Sequence, residues 1–475
     1  MASNAYDAIV IGAGPNGLAG ALRFAECGAS VLVFEGTETI GGGTRTAELT
    51  LPGFQHDVCS SVHPLALASP YFRRLDLSRE GLQWIHPPVP LAHPLDDGSA
   101  VLLERSPEAT ARGLGVDEGA YLGLMGPLMR AGLDQFEDFL APLHWPDMPS
   151  AYIHFGWLGL ASAQRLAHRR FSTTRARALI AGLAAHSMLP LEAPLTSAYG
   201  LILGLMAHLV GWPFAGGGSQ RIAEALAQRL EAHGGQIETG VWVERMGDLP
   251  ESQIYLLNLS PQQALDLTGE RFSPGYRRRL ERYRYGPGVF KLDLALDGPI
   301  PWRAQACHLA GTLHLGGTFE EIAAAERGVW RGEHPQRPFV LLTQPTLSDP
   351  ERAPQGKQIA WAYCHVPHGS TVDMTAAVEA QIERFAPGFK ARILARHTMT
   401  AQAMQSYNPN YVGGDINGGV QDWRQFFARP TLRRVPYATS DPKIYLCSSA
   451  TPPGGGVHGM SGFHAAEAAR KLLKG

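Results

Sequence analysis

The fold of this chain is decided by Asp7-Ala8-Ile9-Val10-Ile11-Gly12-Ala13-Gly14-Pro15-Asn16-Gly17-Leu18-Ala19. A short apolar strand runs into Gly12-x-Gly14-x-x-Gly17, a helix is predicted over residues 18–27, and the next apolar strand ends at Glu35. In the dinucleotide fingerprint, the three glycines allow the tight turn, the approach of a pyrophosphate and the packing of helix on strand. The sequence therefore predicts a dinucleotide-binding βαβ unit.

The chemistry of this unit narrows the choice of dinucleotide. A helix N-terminus offers free N–H groups and a partial positive charge to phosphates. Glu35 follows Gly17 at the distance where a carboxylate accepts ribose hydroxyls, and it would repel a 2′-phosphate, so NADP is disfavoured. FAD and NAD both remain open at this point. The predicted cofactor contacts here are Gly12, Gly14, Pro15, Asn16, Gly17 and Glu35.

A second glycine-rich turn follows directly: Gly36-Thr37-Glu38-Thr39-Ile40-Gly41-Gly42-Gly43-Thr44-Arg45-Thr46. It resembles the turn of FAD enzymes of the glutathione-reductase-like and amine-oxidase-like superfamily, which brings backbone against the pyrophosphate and ribityl chain. Gly43 stands where that superfamily usually has an arginine, and Arg45 either replaces it or forms a surface salt bridge. The resemblance implies cofactor contacts at Gly41, Gly42, Gly43, Thr44 and Arg45.

Composition excludes several classes of protein. A chain of 475 residues is too long for one core, and 45% hydrophobic and 18% charged residues are typical of globular proteins. The formal net charge of −2 gives no reason to expect nucleic acid as a partner. The five cysteines are scattered, which favours reduced thiols over a redox-active disulfide, and no metal-ligand spacing occurs.

The expected location is cytoplasmic, because no signal peptide precedes Ala8 and no apolar stretch reaches the length of a membrane span. One basic run has two interpretations. It is either a solvated face or a surface that contacts anionic lipid headgroups, which would make the protein peripherally membrane-associated. The run consists of Arg165, His168, Arg169, Arg170, Arg175 and Arg177.

Changes of pattern along the chain predict its domains. Residues 76–211 show helical periodicity and are predicted to form a helical cap. Residues 271–435 are mostly strands and turns, with residues 289–296 alternating like a half-buried strand, and predict a mixed-sheet substrate domain. The FAD-binding domain is assigned to residues 1–75, 212–270 and 436–475. The fold class is α/β: a Rossmann-like FAD-binding domain of glutathione-reductase/amine-oxidase type with an inserted substrate domain of mixed sheet plus helical cap. In that superfamily, the backbone at the position of Val243 meets the adenine.

The last segment carries a second glycine pattern. A strand at Lys443-Ile444-Tyr445-Leu446-Cys447 leads to Gly454-x-Gly456-x-x-Gly459 and a helix predicted over residues 461–473. Too few residues follow Gly459 for a second mononucleotide fold, so we expect a helix whose N-terminus faces the flavin ring and stabilises negative charge there. The predicted cofactor contacts in this segment are Ser449, Gly455, Gly456, Val457, His458 and Met460.

The terminal segment resembles the bacterial-type phytoene desaturase family of FAD-dependent oxidoreductases, in its pyridine nucleotide-disulfide-oxidoreductase-domain branch. Tyr285-Gly286-Pro287-Gly288-Val289-Phe290-Lys291 and Trp361-Ala362-Tyr363-Cys364-His365-Val366-Pro367 resemble the same branch. The resemblance implies a non-covalent FAD and hydride chemistry at C–C bonds of a lipophilic small molecule. Because the family contains desaturases, saturases and isomerases, it does not fix the reaction.

Catalytic side chains are harder to predict, since the cofactor carries the hard chemistry and no dedicated triad is expected. Four residues beside the glycine motifs are candidates: His56, Cys59, His63 and His458. Each is either an acid–base group or a residue that hydrogen-bonds to backbone or caps a turn. The loop at residues 407–419, rich in tyrosine, asparagine and glycine, either lines a pocket or only makes turns.

Three functions remain open. The leading hypothesis is an FAD-dependent dehydrogenase, desaturase or isomerase of a lipophilic molecule, re-oxidised by oxygen or a quinone. The second is a flavin amine oxidase, for which Lys291 is the candidate lysine near the flavin. The third is a flavin-stabilised interaction protein with little turnover.

Overall fold

The structure, a computed structural model, describes residues 6–147 and 149–473. The first five and last two residues of the predicted FAD-binding ranges, and residue 148 of the predicted cap, lie outside the described residues. Sixteen strands occur in the described part: β1 (Tyr6–Ile11), β2 (Val31–Phe34), β3 (Thr46–Glu48), β4 (Gln55–Asp57), β5 (Trp84–Ile85), β6 (Val89–Pro94), β7 (Ala100–Leu103), β8 (Phe214–Ala215), β9 (Gln236–Glu238), β10 (Ser252–Leu257), β11 (Gly288–Leu296), β12 (Ala310–Leu315), β13 (Val340–Thr343), β14 (Gln358–Val366), β15 (Ile393–Met399) and β16 (Ile444–Leu446).

Eighteen α-helices connect these strands within the described residues. They are α1 (Pro15–Ala25), α2 (Pro64–Ala68), α3 (Pro70–Leu75), α4 (Pro107–Gly113), α5 (Glu118–Met129), α6 (Gln135–Phe139), α7 (Pro149–Gly159), α8 (Ala163–Arg170), α9 (Thr174–Ala185), α10 (Thr196–Leu209), α11 (Gln220–Ala232), α12 (Pro261–Thr268), α13 (Pro274–Glu281), α14 (Phe319–Trp330), α15 (Thr375–Phe385), α16 (Ala401–Tyr407), α17 (Trp423–Phe426) and α18 (Met460–Ala469).

The first sheet is parallel and has the order β16-β10-β1-β2-β9. Its strands come from all three sequence ranges that we assigned to the FAD-binding domain. Helices α1, α11 and α18 cover one face, while α12 and α13 cover the other through Leu267, Tyr276 and Leu280. A parallel sheet covered by helices on both faces is the Rossmann-type arrangement, so the predicted α/β fold class is confirmed.

The first and last helices of the sheet touch each other closely. A Cβ on Gly462 of α18 would lie 1.7 Å from the Asn16 carbonyl oxygen of α1, and a Cβ on Gly20 would lie 3.1 Å from the Gly462 carbonyl oxygen. Only glycine allows this approach. The last helix therefore packs directly beside the helix of the dinucleotide fingerprint, and the two ends of the chain form one layer.

The second sheet is mixed and has the order β15-β11-β14-β13-β12-β6-β7. Its strands pair antiparallel except for β6 and β12, which run parallel. β6 and β7 lie in the range that we predicted to be helical. β6 contains Pro90 and Pro94, which lack the N–H that a ladder uses, and it nevertheless pairs with β12 and β7. The remaining cap is helical, from α4 to α10, and the predicted mixed sheet with a helical cap is confirmed.

Strand β11 is more deeply buried than its sequence predicted. All nine of its residues are buried, so it is not half-buried. Phe290, Leu292 and Leu294 pack in a core with Val378, Ile382 and Phe385 of α15. The alternate residues, including Lys291 and Asp293, point to the opposite face, which is covered by the parallel-sheet domain and its loops. Burial on both faces explains why the alternation did not mark an exposed side.

Candidate functional site

A cavity of about 660 Å³ lies between the parallel sheet and the mixed sheet. Its cofactor half, as we define it, is bounded by the glycine turns and the strand ends of the parallel sheet. Its substrate half is bounded by the mixed sheet. The predicted cofactor residues that line it are Gly12, Gly14, Pro15, Asn16, Glu35, Gly42, Gly43, Thr44, Arg45, Val243, Ser449, Gly456 and Val457. The others, Gly17, Gly41, Gly455, His458 and Met460, lie behind this lining.

Backbone geometry forms the first wall of the cofactor half. Gly12 has a φ of +97°, and a Cβ on Gly17 would lie 2.0 Å from the Gly12 carbonyl oxygen. Asn258, at the end of β10, donates from Nδ2 to that same carbonyl at 3.1 Å. Asn258 was not predicted from the sequence, although its place after a parallel strand is where ligand-binding residues occur in such sheets.

The N-terminus of α1 fits a pyrophosphate. Gly14 caps the helix without a side-chain hydrogen bond, so the first N–H groups face the cavity. Asn16 lines the same wall, and its Oδ1 is buried without a hydrogen-bond partner. Open N–H groups at a helix terminus, beside glycines that remove Cβ atoms, match the requirements of a dinucleotide phosphate.

Glu35 is held in place by four hydrogen bonds, two of which come from the Thr37 N–H and hydroxyl group to its Oε1. The Ala13 N–H donates to its Oε2 at 2.9 Å, and Arg45 Nη2 lies 3.1 Å from its Oε1. Arg45 also donates from Nε to the Thr39 carbonyl at 3.0 Å and stacks on the Tyr407 ring. Both members of the ion pair are buried and line the cavity. Arg45 therefore orients the carboxylate that we predicted to bind ribose.

The terminal glycine segment contributes backbone rather than side chains. Gly456 and Val457 line the cavity, while His458 lies behind them, next to Gly459, which is the N-cap residue of α18. Its Nδ1 accepts from the Met460 N–H at 3.0 Å, and its Nε2 lies 3.2 Å from the Gly454 carbonyl. Burial lowers the pKa of His458 to about 4, so the ring is neutral. The His458 ring therefore hydrogen-bonds to backbone, which was the structural alternative to an acid–base role.

The three candidates after the glycine turns occupy different places. His56 Nε2 pairs with Thr50 Oγ1 at 2.8 Å, and His63 Nε2 pairs with Ser219 Oγ at 2.8 Å. Burial lowers the pKa of each ring to about 4, and neither lines the cavity. Cys59 does line it, and burial raises the pKa of its thiol. Of these three, only Cys59 lies where a ligand could touch it.

The substrate half is built by cross-strand neighbours on one face of the mixed sheet. The register places Lys291 opposite Tyr363, Tyr363 opposite Leu341, and Leu341 opposite His314. These pairings span β11, β14, β13 and β12 in order. Of these residues, Lys291, Tyr363 and Leu341 line the cavity. Together with Trp361 and Met404 they form a floor that is mainly apolar and aromatic. Such a lining with a few polar groups is typical of small-molecule sites.

Among the described residues, Lys291 is the one cation of this floor. Its Nζ contacts both carboxylate oxygens of Asp293, and it lies 5.6 Å from the centre of the Trp361 ring. Both members of the ion pair are buried. Asp293 also faces His56 Nδ1 at 3.8 Å and His397 Nδ1 at 3.4 Å. Asp293 was not predicted either, although it follows Lys291 with the period of two that puts both on one face.

The loop at residues 407–419 lines the pocket, which was one of its two interpretations. Eight of its residues reach the cavity wall: Tyr407, Asn408, Pro409, Asn410, Tyr411, Ile416, Asn417 and Gly418. Asn410 Oδ1 accepts from the Ser260 N–H at 2.7 Å, which ties the loop to the parallel-sheet domain. A Cβ on Gly43 would lie 2.5 Å from Tyr411 Oη, so the loop packs against the second glycine turn.

Two further findings concern the whole described chain. None of the groupings of His, Cys, Asp and Glu in residues 6–147 and 149–473 is arranged to hold a metal ion. Over the same residues, no helix combines the length and apolar character that crossing a membrane requires.

Comparison with known proteins gives matches in both sequence and structure. The family model described as an NAD(P)-binding Rossmann-like domain matches residues 10–75. Pyridine nucleotide-disulfide oxidoreductase domain-containing protein 2 of Rattus norvegicus is 28% identical, over 99% of this chain and 94% of its own. A polypeptide of the limonene dehydrogenase of Castellaniella defragrans is 34% identical over 22% of this chain and 20% of its own.

Solved structures show the same fold. An oxidoreductase from Methanosarcina mazei superposes with a TM-score of 0.66 and 17% identity, covering 98% of this chain and 99% of its own. Cyclohexylamine oxidase from Brevibacterium oxydans gives a TM-score of 0.62 and 17% identity, covering 99% of this chain and 100% of its own. The matches together support a FAD- or NAD-binding oxidoreductase. The phytoene desaturase part of the resemblance stays a prediction.

Proposed function

We propose that this protein is an FAD-dependent oxidoreductase that takes a hydride from a lipophilic small molecule. One observation carries the proposal: the same cavity joins a dinucleotide cradle of backbone N–H groups to a buried, mainly apolar floor. A cofactor at the cradle and a substrate on the floor would share that space. Positioning and exclusion of water are what the chain itself contributes to such a reaction.

Non-covalent FAD suits the cofactor half better than NAD does. The N-terminus of α1 would bind the pyrophosphate, Glu35 the ribose and the Val243 backbone the adenine. Gly42, Gly43 and Gly456 add a second stretch of backbone to the cavity wall. In the FAD enzymes that this segment resembles, the second glycine turn meets the pyrophosphate and the ribityl chain, and NAD has no ribityl chain. FAD would supply the hydride-accepting ring next to the substrate half.

The floor favours a lipophilic substrate. Leu341, Trp361 and Met404 offer apolar and aromatic surface, and Lys291 is paired with Asp293. The partial match to a limonene dehydrogenase polypeptide agrees with a terpene-like molecule, although it spans only part of both chains. Dehydrogenation and desaturation both use this arrangement, because each begins with hydride removal from carbon. An isomerisation in the same cavity would leave the flavin with no net oxidation or reduction.

The proposal is tested with the purified holoprotein under anaerobic conditions. Terpenoids, fatty acyl compounds and polyenes are mixed with it one at a time, and bleaching of the flavin absorption is recorded. We expect bleaching by at least one lipophilic compound. Bleaching by none of a broad panel would overturn the oxidoreductase proposal and favour a flavin-stabilised interaction protein with little turnover.

An amine oxidase is the second candidate, favoured by the buried Lys291 and by the fold shared with cyclohexylamine oxidase. The two candidates differ in what they need from the substrate half. An amine must lose its charge to enter an apolar site beside a cation, which costs binding energy. Release of peroxide from primary amines, with no bleaching by hydrocarbons or terpenoids, would establish this second candidate.

Oxygen or a quinone is the proposed electron acceptor. The second glycine pattern leads from β16, which belongs to the same parallel sheet, into α18. Within the described residues it therefore starts no separate nucleotide fold. Dithionite-reduced protein is supplied with oxygen, quinones or nicotinamide nucleotides; re-oxidation that strictly requires a nicotinamide nucleotide would contradict this proposal. No nucleic acid is proposed as a partner.

We further propose that the cap contacts an anionic membrane surface peripherally. An apolar patch of exposed side chains lies within residues 143–160: Leu143, Trp145, Ile153, Trp157 and Leu160. Trp145 and Trp157 are 84% and 83% exposed. Exposed tryptophans that are followed along the chain by arginines match the composition of membrane-interface segments.

The basic run follows this patch along the chain, and its arginines have two different environments in the structure. Arg175 and Arg177 bind carbonyl oxygens within the chain, whereas the Arg165, Arg169 and Arg170 side chains are exposed on α8. Sedimentation with phosphatidylglycerol vesicles is expected for the wild type and is lost in W145S/W157S. The control W423S, which alters an exposed tryptophan on α17, retains sedimentation. Equal sedimentation of W145S/W157S and wild type would refute the contact.

A further inference from the structure

Two histidines that the proposed function does not use meet beside the substrate half. His186 caps the C-terminus of α9, and His314 lies in β12. Their Nε2 atoms are 2.9 Å apart, which is a hydrogen bond between two imidazole rings. Such a bond needs one ring to donate and the other to accept, and a neutral ring has one N–H and one lone pair. The pair therefore fixes a tautomer for each ring.

The surroundings of His314 decide which ring donates. Its Nδ1 is buried without a hydrogen-bond partner. It lies against Gly182 of α9, where a Cβ would be only 2.6 Å from Nδ1. A proton on Nδ1 would leave a donor unsatisfied against a helix backbone, which is costlier than a lone pair there. His314 therefore carries its proton on Nε2 and donates to His186.

The tautomer of His186 follows from that of His314. Since its Nε2 accepts from His314, its proton is on Nδ1. His186 is partly exposed, lines the cavity, and has no acceptor for Nδ1 among the described residues. Trp212 packs edge-on against the His186 ring, with the two ring centroids 5.9 Å apart. Leu341 belongs to the same cavity lining. The result is one oriented N–H donor in a mainly apolar wall.

The charge state of the two histidines limits which ligand groups the His186 N–H can bind. Burial lowers the pKa of His186 to about 3 and lowers the pKa of His314 well below its ordinary value, so both rings are neutral. A neutral donor binds an oxygen lone pair. It gives no favourable contact to an ammonium group, which has no lone pair to accept with.

From this geometry we infer that His186 binds a carbonyl or hydroxyl oxygen of the substrate, which makes the substrate an oxygenated lipophile rather than a charged ammonium compound. His314 is a positioning residue that acts through His186. The inference rests on the proposed function and deepens it. Along the sheet, His314 lies three strands from Lys291, roughly 14 Å away. The oxygen would thus be held at the end of the floor opposite to the Lys291–Asp293 pair.

The first test measures binding, which needs no turnover. Carvone is a terpene ketone, and limonene is the hydrocarbon that lacks its oxygen. Calorimetric titration of the holoprotein is expected to give about tenfold tighter binding of carvone than of limonene. H186L should remove this preference, whereas H186Q should retain part of it through the amide N–H. An unchanged preference in H186L, or tighter binding of carvylamine than of carvone, would overturn the inference.

The second test addresses the tautomers directly. In protein labelled with ¹⁵N-histidine, NMR is expected to show Nδ1–H for His186 and Nε2–H for His314. H314L should release His186 into a mixture of tautomers and reduce the carvone preference, and H314Q should restore both by donating from its amide. A proton on Nε2 of His186 in the wild type would overturn the inference. Because neither test records flavin reduction, failure of the proposed oxidoreductase activity is distinguishable from failure here.

Discussion

The two halves of the cavity are built by different means. The cofactor half consists largely of backbone: glycine turns, strand ends and the uncapped N-terminus of α1. The substrate half consists of side chains that meet because β11, β14, β13 and β12 lie beside one another in the mixed sheet. Backbone sites tolerate few changes at glycine positions, while side-chain sites change with single substitutions. The cofactor is therefore expected to depend on glycines, and the reaction on a few buried polar groups.

The largest effect is expected from a methyl group in the glycine turn. In G17A the new Cβ would lie 2.0 Å from the Gly12 carbonyl, so the turn itself must move. Overpacking of this kind costs about 1–3 kcal/mol, and here it distorts the cradle directly. We expect G17A to elute from gel filtration without flavin. The control G119A adds a methyl with no atom within 4 Å and should stay yellow; a yellow G17A would contradict a backbone-built cradle.

Loss of the last helix is expected to have nearly as large an effect. A chain that ends before Gly454 lacks Gly456 and Val457 of the cavity wall, and α1 loses the helix packed against Asn16 and Gly20. Flavin binding should disappear although Gly12, Gly14 and Gly17 are intact. Absorption of the truncated protein after gel filtration tests this, and retained flavin would show that the first fingerprint is sufficient.

A smaller and more selective effect is expected in the substrate half. K291M should keep its flavin but slow flavin reduction by substrate about 100-fold, because a cavity-wall charge is lost. Removing one member of a buried ion pair also destabilises a protein by about 3–5 kcal/mol. K291M/D293L should therefore recover thermal stability without recovering the rate. The control K357M breaks an exposed pair with Asp297 and should leave the rate unchanged. Equal slowing in K291M and K357M would contradict the placement of Lys291 on the wall of the substrate half.

The least selective effect is a gradual loss of stability in acid, which both halves share. Burial lowers the pKa of His63, His93 and His458 to about 4, against about 6.5 in an unfolded chain. Between these values the unfolded state binds protons that the folded state does not. Each histidine therefore lowers the free energy of unfolding by about 1.4 kcal/mol per pH unit as the pH falls from 6.5 to 4. Thermal unfolding from pH 8 to pH 5 should show a flat region and then a decline below about 6.5; a midpoint that stays constant to pH 5 would contradict the neutral state of these rings.

The same contrast explains what could be predicted from the sequence. The parallel sheet and the turns at Gly12 and Gly42 were predictable, because spacing along the chain dictates backbone geometry. Asn258 was missed since its contact with Gly12 depends on the neighbouring strand. In the substrate half, Lys291 was proposed from resemblance, but its partner Asp293 and the His186–His314 pair depend on register and helix packing.

Boundaries and burial were the weaker predictions. The first helix was expected over residues 18–27 and spans Pro15–Ala25, because Pro15 suits the first turn of a helix. The last was expected over residues 461–473, and the α-helix spans Met460–Ala469. β6 and β7 lie in the mixed sheet, although the helical periodicity of residues 76–211 predicted that they belong to the cap. His56, His63 and His458 were candidates by sequence position, whereas the structure gives each a buried hydrogen-bonding contact.

The proposed chemistry depends on one non-covalent FAD in this cavity. The most direct test is acid precipitation of the purified yellow protein, followed by chromatographic quantification of the flavin in the supernatant. We expect one FAD per chain in the supernatant and a colourless precipitate. A protein that carries no flavin, or flavin that remains with the precipitated chain, would contradict this.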